Sequence, residues 1–199
     1  ALTSIGSDAF NGCTGLTSLS FPSTLTTIEE YAFNNCPAVT SLTLNEGLQT
    51  IGNSAFKGMD KITTLVIPST AETVSWSAFS DCVALKSITV APGSTHYSAD
   101  GTALIQTADH KLILYATSSP VKSYTIPADV KAIESFSIQK ANALEVLNTN
   151  NVETIDNDAI LQCDNLRDMT LGSSIVSLGN GAVALCNNLD IIRLNSTVI

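Results

Sequence analysis

Positive charge is scarce in this chain. Nine Lys and Arg stand against 18 Asp and Glu in 199 residues, a net charge of −9. A surface that grips nucleic-acid phosphates needs clustered cations, so the composition argues against nucleic acid as a partner. It argues equally against adsorption to anionic lipid. Charge of either sign is sparse at 14%, while 44% of residues are hydrophobic, which excludes a disordered polar chain. Long apolar runs are lacking, so no membrane insertion is expected of this segment. The opening ALTSIGSDAF has neither the basic start nor the apolar stretch of a secretion signal. Those residues already belong to the repeat described below, so the sequence is expected to be a piece of a longer chain. There are two histidines and no Cys-x-x-Cys pair, which argues against zinc. No Gly-x-Gly-x-x-Gly, phosphate loop or His-Glu-x-x-His occurs, and no cofactor is expected.

What is present is repetition. IGSDAFNGCTGLTSLSFP begins at residue 5, IEEYAFNNCPAVTSLTLN at 28, IGNSAFKGMDKITTLVIP at 51 and VSWSAFSDCVALKSITVA at 74, a step of 23 residues. The pattern fades, then returns as IESFSIQKANALEVLNTN at 133, IDNDAILQCDNLRDMTLG at 155 and LGNGAVALCNNLDIIRLN at 178. A large apolar slot holds Phe10, Phe33, Phe56, Phe79, Ile138, Ile160 and Val183. Three residues on, a second slot holds Cys13, Cys36, Met59, Cys82, Ala141, Cys163 and Cys186. All five cysteines share that slot with Met and Ala, whereas a catalytic thiol would be singular. The slot reads as a place for a small to medium buried apolar group. Disulfides Cys13–Cys36 and Cys163–Cys186 are the main competitor, disfavoured because neighbours in one ladder point the same way and five is an odd count.

Beyond the second slot, apolar residues alternate with polar ones: Leu19/Phe21, Leu42/Leu44, Leu65/Ile67, Ile88/Val90, Tyr124/Ile126, Leu147/Thr149, Met169/Leu171 and Ile192/Leu194. That alternation predicts eight short strands. Pro22, Asn45, Pro68 and Pro127 end them. A spaced pair such as Leu25/Ile28 or Val152/Ile155 predicts an extended link, and the Ala-Phe stretch a single helical turn. One such unit cannot bury its own apolar face, but stacked units can. The expected architecture is therefore a right-handed solenoid over 1–199. It has about eight coils, one parallel β-sheet on one side and helical turns on the other.

The motif Ile-x-x-x-Ala-Phe-x-x-Cys-x-x-Leu-x-x-Leu-x-Leu-Pro resembles the BspA-like leucine-rich repeats of bacterial cell-surface proteins. The resemblance spans nearly everything outside 92–123 and departs where Phe becomes Ile138, Ile160 or Val183. It implies a secreted or surface-anchored repeat domain used for adhesion or partner binding, with an extracellular location and no catalytic residues to carry over.

Strand positions step by 36 from Val90 to Ile126. Leu104 and Ile105, and the run 112–115, flank a polar turn at 108–111, which predicts a β-hairpin in place of one Ala-Phe turn. Family members carry a similar Asp-Gly-containing insert, matched here by Asp100 and Gly101, although Ala116 stands where they often have Pro. The hairpin reads first as a structural clip and second as a projecting, ligand-contacting wall. His96 and His110 fall within it, too far apart in sequence to imply a metal site. The acidic stretch DNDAILQCD at 156–164 lacks the Gly and terminal Glu of a calcium loop and reads as a solvated face. Asn195-Ser196-Thr197 matches a glycosylation sequon, a triplet that also arises by chance.

Outward strand positions are hydroxyl-rich in the early coils and charged in the late ones. Their junction supplies the candidate partner-binding residues Lys86, Lys122, Thr125, Glu145, Asn148, Arg167 and Asp168. A protein partner suits such a face. A glycan is possible but weakened, because no row of Trp or Tyr lines it. A spacer presenting another domain is the alternative function. An enzyme is disfavoured, because catalysis needs convergent unlike groups and a repeat supplies like ones.

Overall fold

The computed structural model describes residues 1–195. Eight short strands define eight coils: Ser18–Ser20, Ser41–Thr43, Thr64–Ile67, Ser87–Val90, Ser123–Thr125, Val146–Asn148, Asp168–Leu171 and Ile191–Leu194. These are coils 1 to 8 below. Their face is not the single sheet that the alternation predicts. It divides into a pair from coils 1 and 2, a pair from coils 3 and 4, and a four-stranded parallel ladder from coils 5 to 8.

A second ladder forms where the spaced apolar pair predicts extended chain. Ser4–Ile5, Thr27–Ile28, Thr50–Ile51 and Thr73–Val74 pair in parallel, each threonine or serine beside the next and each apolar residue beside its counterpart. The link into it is a tight turn. Pro22, Asn45, Pro68 and Pro127 each accept at their carbonyl from the N–H three residues on, on Leu25, Leu48, Ala71 and Val130.

The arms between this ladder and the Cys slot are not helical: among the described residues there is no helix. Six of the seven arms carry two residues in the left-handed region, four apart, while the coil 4 arm carries Asp81 alone. The pairs are Asp8 and Gly12, Tyr31 and Asn35, Ser54 and Gly58, Phe136 and Lys140, Asp158 and Gln162, and Gly181 and Leu185. A left-handed residue cannot continue a right-handed helix. The alternation instead turns alternate N–H groups toward the following coil. Tyr31, Phe33 and Asn35 donate to the carbonyls of Asn53, Ala55 and Lys57, at 2.9, 2.8 and 2.8 Å. In the last three coils the arms flatten into paired strands, Ile138–Gln139, Ile160–Leu161 and Val183–Ala184. The arms therefore satisfy their backbone between coils, whereas a helical turn would satisfy it within one.

Stacking in register puts like on like. Phe10, Phe33, Phe56 and Phe79 form a column with ring centroids 5.0, 5.6 and 5.3 Å apart and planes within 11°. Close approach of coils also dictates some residues outright. A Cβ on Gly172 would lie 1.6 Å from the Asn150 carbonyl oxygen.

The insert is a buried septum, not a projecting wall. Tyr97–Ala99, Ala103–Gln106 and Lys111–Tyr115 form an antiparallel meander, and the last strand also pairs in parallel with Ala132–Ile133. Ala103, Leu104, Ile105 and the run 112–115 are all buried. Leu104 packs into the core of coils 1 to 4, while Ala103 and Ile105 pack into that of coils 5 to 8. The strand Lys111–Tyr115 divides in the same way, Ile113 and Leu114 to the first cluster and Leu112 and Tyr115 to the second, so both strands separate the two clusters and contribute to each.

Candidate functional site

The candidate face is built by strand register. Ser123, Val146, Asp168 and Ile191 stand in one row, and Thr125, Asn148, Thr170 and Arg193 in another, each side chain beside its neighbour on the next coil. Between the rows, Tyr124, Leu147 and Met169 turn inward and are buried. At the entry to each strand, Glu145 N donates to the Lys122 carbonyl, Arg167 N to Glu145 and Asp190 N to Arg167. The entry column therefore reads Lys122, Glu145, Arg167, Asp190, with the sign alternating at each step.

Much of this charge is paired along the array. Lys122 Nζ lies 2.8 Å from Glu145 Oε1. That bond, with the Arg167 charge beyond it, holds the Glu145 carboxyl below its ordinary range. Arg193 donates to Asp168. Asn148 Oδ1 accepts from Asn150 N at 2.9 Å, which orients the amide at the strand end. Exposed ion pairs of this kind add little to stability. Their consequence is positional: the side chains are held in a fixed pattern.

Six of the seven sequence-selected residues lie together on coils 5 to 7. Lys86 does not join them. The pairing site beside its strand is taken by the insert, where Ile88 N donates to the Gly101 carbonyl at 3.1 Å. Asp100 fixes this wedge by accepting from Thr102 N and Ala103 N, each at 2.8 Å, and from the Tyr124 hydroxyl at 2.7 Å. That hydroxyl is buried against a carboxylate, and both effects push its pKa up. The hydroxyl-rich and charged halves therefore meet across an inserted turn and not strand to strand. Sequence spacing located the interruption but not which backbone would fill it.

The cysteine slot is a packing position with a weak hydrogen bond. Cys36 Sγ donates to the Phe10 carbonyl at 3.4 Å, Cys82 to Phe56 at 3.4 Å and Cys163 to Ile138 at 3.6 Å. All five are free thiols, with Cys13 and Cys186 in the terminal coils only half-buried. Burial raises Cys36 above its ordinary pKa and pushes Cys82 up to about 12, while a hydrogen bond with Cys186, and burial after it, raise Cys163. A buried thiol that stays protonated is a poor nucleophile. Maleimide labelling of the native protein at neutral pH is therefore expected to reach Cys13 and Cys186 alone, and all five after denaturation. Rapid native labelling of Cys82 would show that the slot opens. Among the described residues, no group of three or more His, Cys, Asp and Glu could hold a metal ion.

Sequence reasoning missed one concave feature, on the arm side. A cavity of about 380 Å³ opens between the arms of coils 4 and 6, lined among others by Trp76, Asp81, Phe136 and Lys140. The rings of Trp76 and Phe136 stack at 5.4 Å. Lys140 Nζ reaches Asp81 Oδ1 at 2.7 Å. That bond lowers the Asp81 pKa below its ordinary value. The signal available in sequence was the one tryptophan of the chain, one arm before the step lengthens.

The family model for the BspA type leucine rich repeat region matches residues 1–100 and 114–199 in six copies. The chain belongs to the BspA-type leucine-rich repeat family. The gap between the two matched stretches falls on the insert. Solved leucine-rich repeat structures share the fold of this BspA-type chain. A protein from Eubacterium ventriosum superposes with a TM-score of 0.81 at 21% identity, over 98% of this chain and 58% of that one. The pneumococcal vaccine antigen PcpA gives 0.76 at 20% identity, over 92% and 52%. A leucine-rich cell surface protein from Faecalibacterium prausnitzii gives 0.60 at 20% identity, over 98% and 70%. This BspA-type chain thus spans little more than half the length of the first two. No curated protein sequence matches it. No helix among the described residues is long and apolar enough to cross a membrane.

Proposed function

We propose that this repeat domain is a non-enzymatic protein-binding or adhesion module of a secreted or surface-anchored bacterial protein. It acts through the solvent face of coils 5 to 8. The observation that carries the reading is the four-stranded ladder, which holds Lys122, Thr125, Glu145, Asn148, Arg167 and Asp168 in fixed register. A partner meets a surface whose backbone is already ordered, so little entropy is lost there on binding. Exposed Val146 and Ile191 add apolar contact between the charges, at 37% and 43% exposure. Small Ser123 and Thr125 leave room for close approach at one end. The cell-surface description of one structural neighbour and the vaccine-antigen description of another support a surface location. A protein fits this face better than a glycan, because Tyr124 on its first strand points inward, leaving the outward positions of the ladder without aromatic rings.

The alternative is a spacer that presents another domain. The observation in its favour is that Lys122 with Glu145, and Asp168 with Arg193, already pair with each other. The test is affinity for a partner recovered by cross-linking on cells. Lys122→Glu with Arg167→Glu reverses two of the three cations of this face and is expected to weaken binding by at least tenfold. Glu29→Lys with Asn53→Lys on the arms of coils 2 and 3 is expected to leave it unchanged. Loss with the arm pair and retention with the face pair would place the interface elsewhere.

A further inference from the structure

We propose that the cavity between the arms of coils 4 and 6 is a slot for an extended acidic peptide, which adds itself as the arm that coil 5 lacks. The argument starts from the inter-coil hydrogen bonds. In coils 1 to 3, N–H groups of each arm donate to carbonyls of the next: Phe10 to Ala32, Phe33 to Ala55 and Phe56 to Ala78. The same holds from coil 6 to coil 7, where Phe136, Ile138 and Lys140 donate to Asp158, Ala159 and Leu161. Coil 5 breaks the series because its chain runs straight from the septum strand, with Ser118 N returning to the Leu85 carbonyl at 2.7 Å. On the coil 4 side, the N–H groups of Ser77, Phe79 and Asp81 have no hydrogen-bond partner among the described residues. On the coil 6 side, Tyr115 N takes the Ser137 carbonyl, while the carbonyls of Ser135 and Gln139 accept nothing. One wall thus offers three donors and the other the outer two of the three acceptors that a regular arm uses, the middle one being held by Tyr115.

A backbone edge of this kind selects extended polypeptide, the mode in which a peptide completes a sheet. A saccharide has no regular alternation of amide donors and acceptors to match it. The side chains select the peptide's charge. Lys57 and Lys140 both reach toward Asp81, at 3.7 and 2.7 Å, leaving one cation in excess on a chain of net charge −9. A carboxylate on the incoming peptide takes over Lys140 or Lys57. Trp76 is 38% exposed and stacked on Phe136, and it supplies a flat apolar lip. The aromatic slot beneath is already filled, since Tyr115 is buried there against Tyr124 at 5.2 Å. The occupant's inward residues must therefore be small.

The probe is the acetylated, amidated heptapeptide EEYAANN, the arm sequence of residues 29–35 with alanine at the Phe33 position. Trp76 is the single tryptophan, so its emission reports the slot directly. The peptide is expected to shift that emission saturably and to slow hydrogen exchange at the Phe79 and Asp81 amides at least tenfold. Changing both its glutamates to glutamine is expected to weaken binding about tenfold. Lys140→Glu should weaken it similarly, with Lys57→Gln as the milder variant if the first misfolds. Lys122→Glu with Arg167→Glu should change nothing, which separates this site from the sheet face. A shift produced by maltohexaose and not by the peptide would overturn the proposal. Binding without amide protection, or equal binding of the glutamine peptide, would also overturn it.

Discussion

Phe56→Ala is expected to destabilise the domain by about 3–5 kcal/mol, the usual range for a buried phenylalanine, and Phe10→Ala by far less. Both residues occupy the same position of the same motif, so composition and local sequence predict no difference between them. Phe56 is fully buried and stacked on both sides, against Phe33 and Phe79, with the Phe21 ring 6.4 Å away. Phe10 is 43% exposed and stacked only on Phe33. Removing Phe56 leaves a gap that the coils on either side cannot close without breaking their shared backbone bonds. Removing Phe10 leaves a surface that water fills. Urea unfolding followed by circular dichroism measures both. Equal shifts in the midpoint would refute a column closed on both sides at Phe56.

The second large effect is expected at the septum. Leu104→Ala should cost about 2–5 kcal/mol, against under about 0.5 kcal/mol for Val66→Ala, whose side chain lies on the surface. Leu104 is fully buried in the core of coils 1 to 4, while its neighbours Ala103 and Ile105 belong to that of coils 5 to 8. No regular repeat residue touches both cores in this way through consecutive positions of one strand. A cavity there loosens the packing between two halves that also meet through the Trp76–Phe136 stack and the Asp81–Lys140 pair. Thermal unfolding of Leu104→Ala is accordingly expected to broaden or split into two steps. A midpoint indistinguishable from that of Val66→Ala would show that the insert is dispensable to the core.

The stacked architecture was legible because repetition amplifies weak local signals. Any one of Phe10, Phe33, Phe56 and Phe79 says little, but their common spacing fixes the register of every coil. The cysteine slot was legible for the same reason, since Met59 and Ala141 show what the position requires. The arm conformation was not legible. Ala-Phe flanked by polar residues suits a helical turn, and left-handed positions announce themselves only where Gly or Asn occupies them. Tyr31, Phe136, Lys140, Gln162 and Leu185 adopt the same conformation without that signal. At Tyr31, Phe136, Lys140 and Gln162 the N–H bonds to the next coil, an interaction that overrides local preference. The candidate face was read from alternation alone, and six of its seven residues share one ladder. Lys86 was misplaced because spacing cannot say that Gly101 intervenes. The slot beside Trp76 was invisible for the converse reason: it is made by what coil 5 omits.

The position of the septum also bears on how such chains vary in length. The stability of a stacked array is close to a sum of unit terms and nearest-neighbour terms. Gain or loss of a whole 23-residue unit among coils 1 to 3, or beyond coil 6, alters only contacts of the repeated kind. The contacts at Asp100, Leu104 and Tyr115 involve coils 4, 5 and 6 and stay as they are. The array can therefore be lengthened or shortened at either side by recombination between its own repeats while its irregular segment is inherited intact. The irregular coil is thereby insulated from changes in the number of repeats around it.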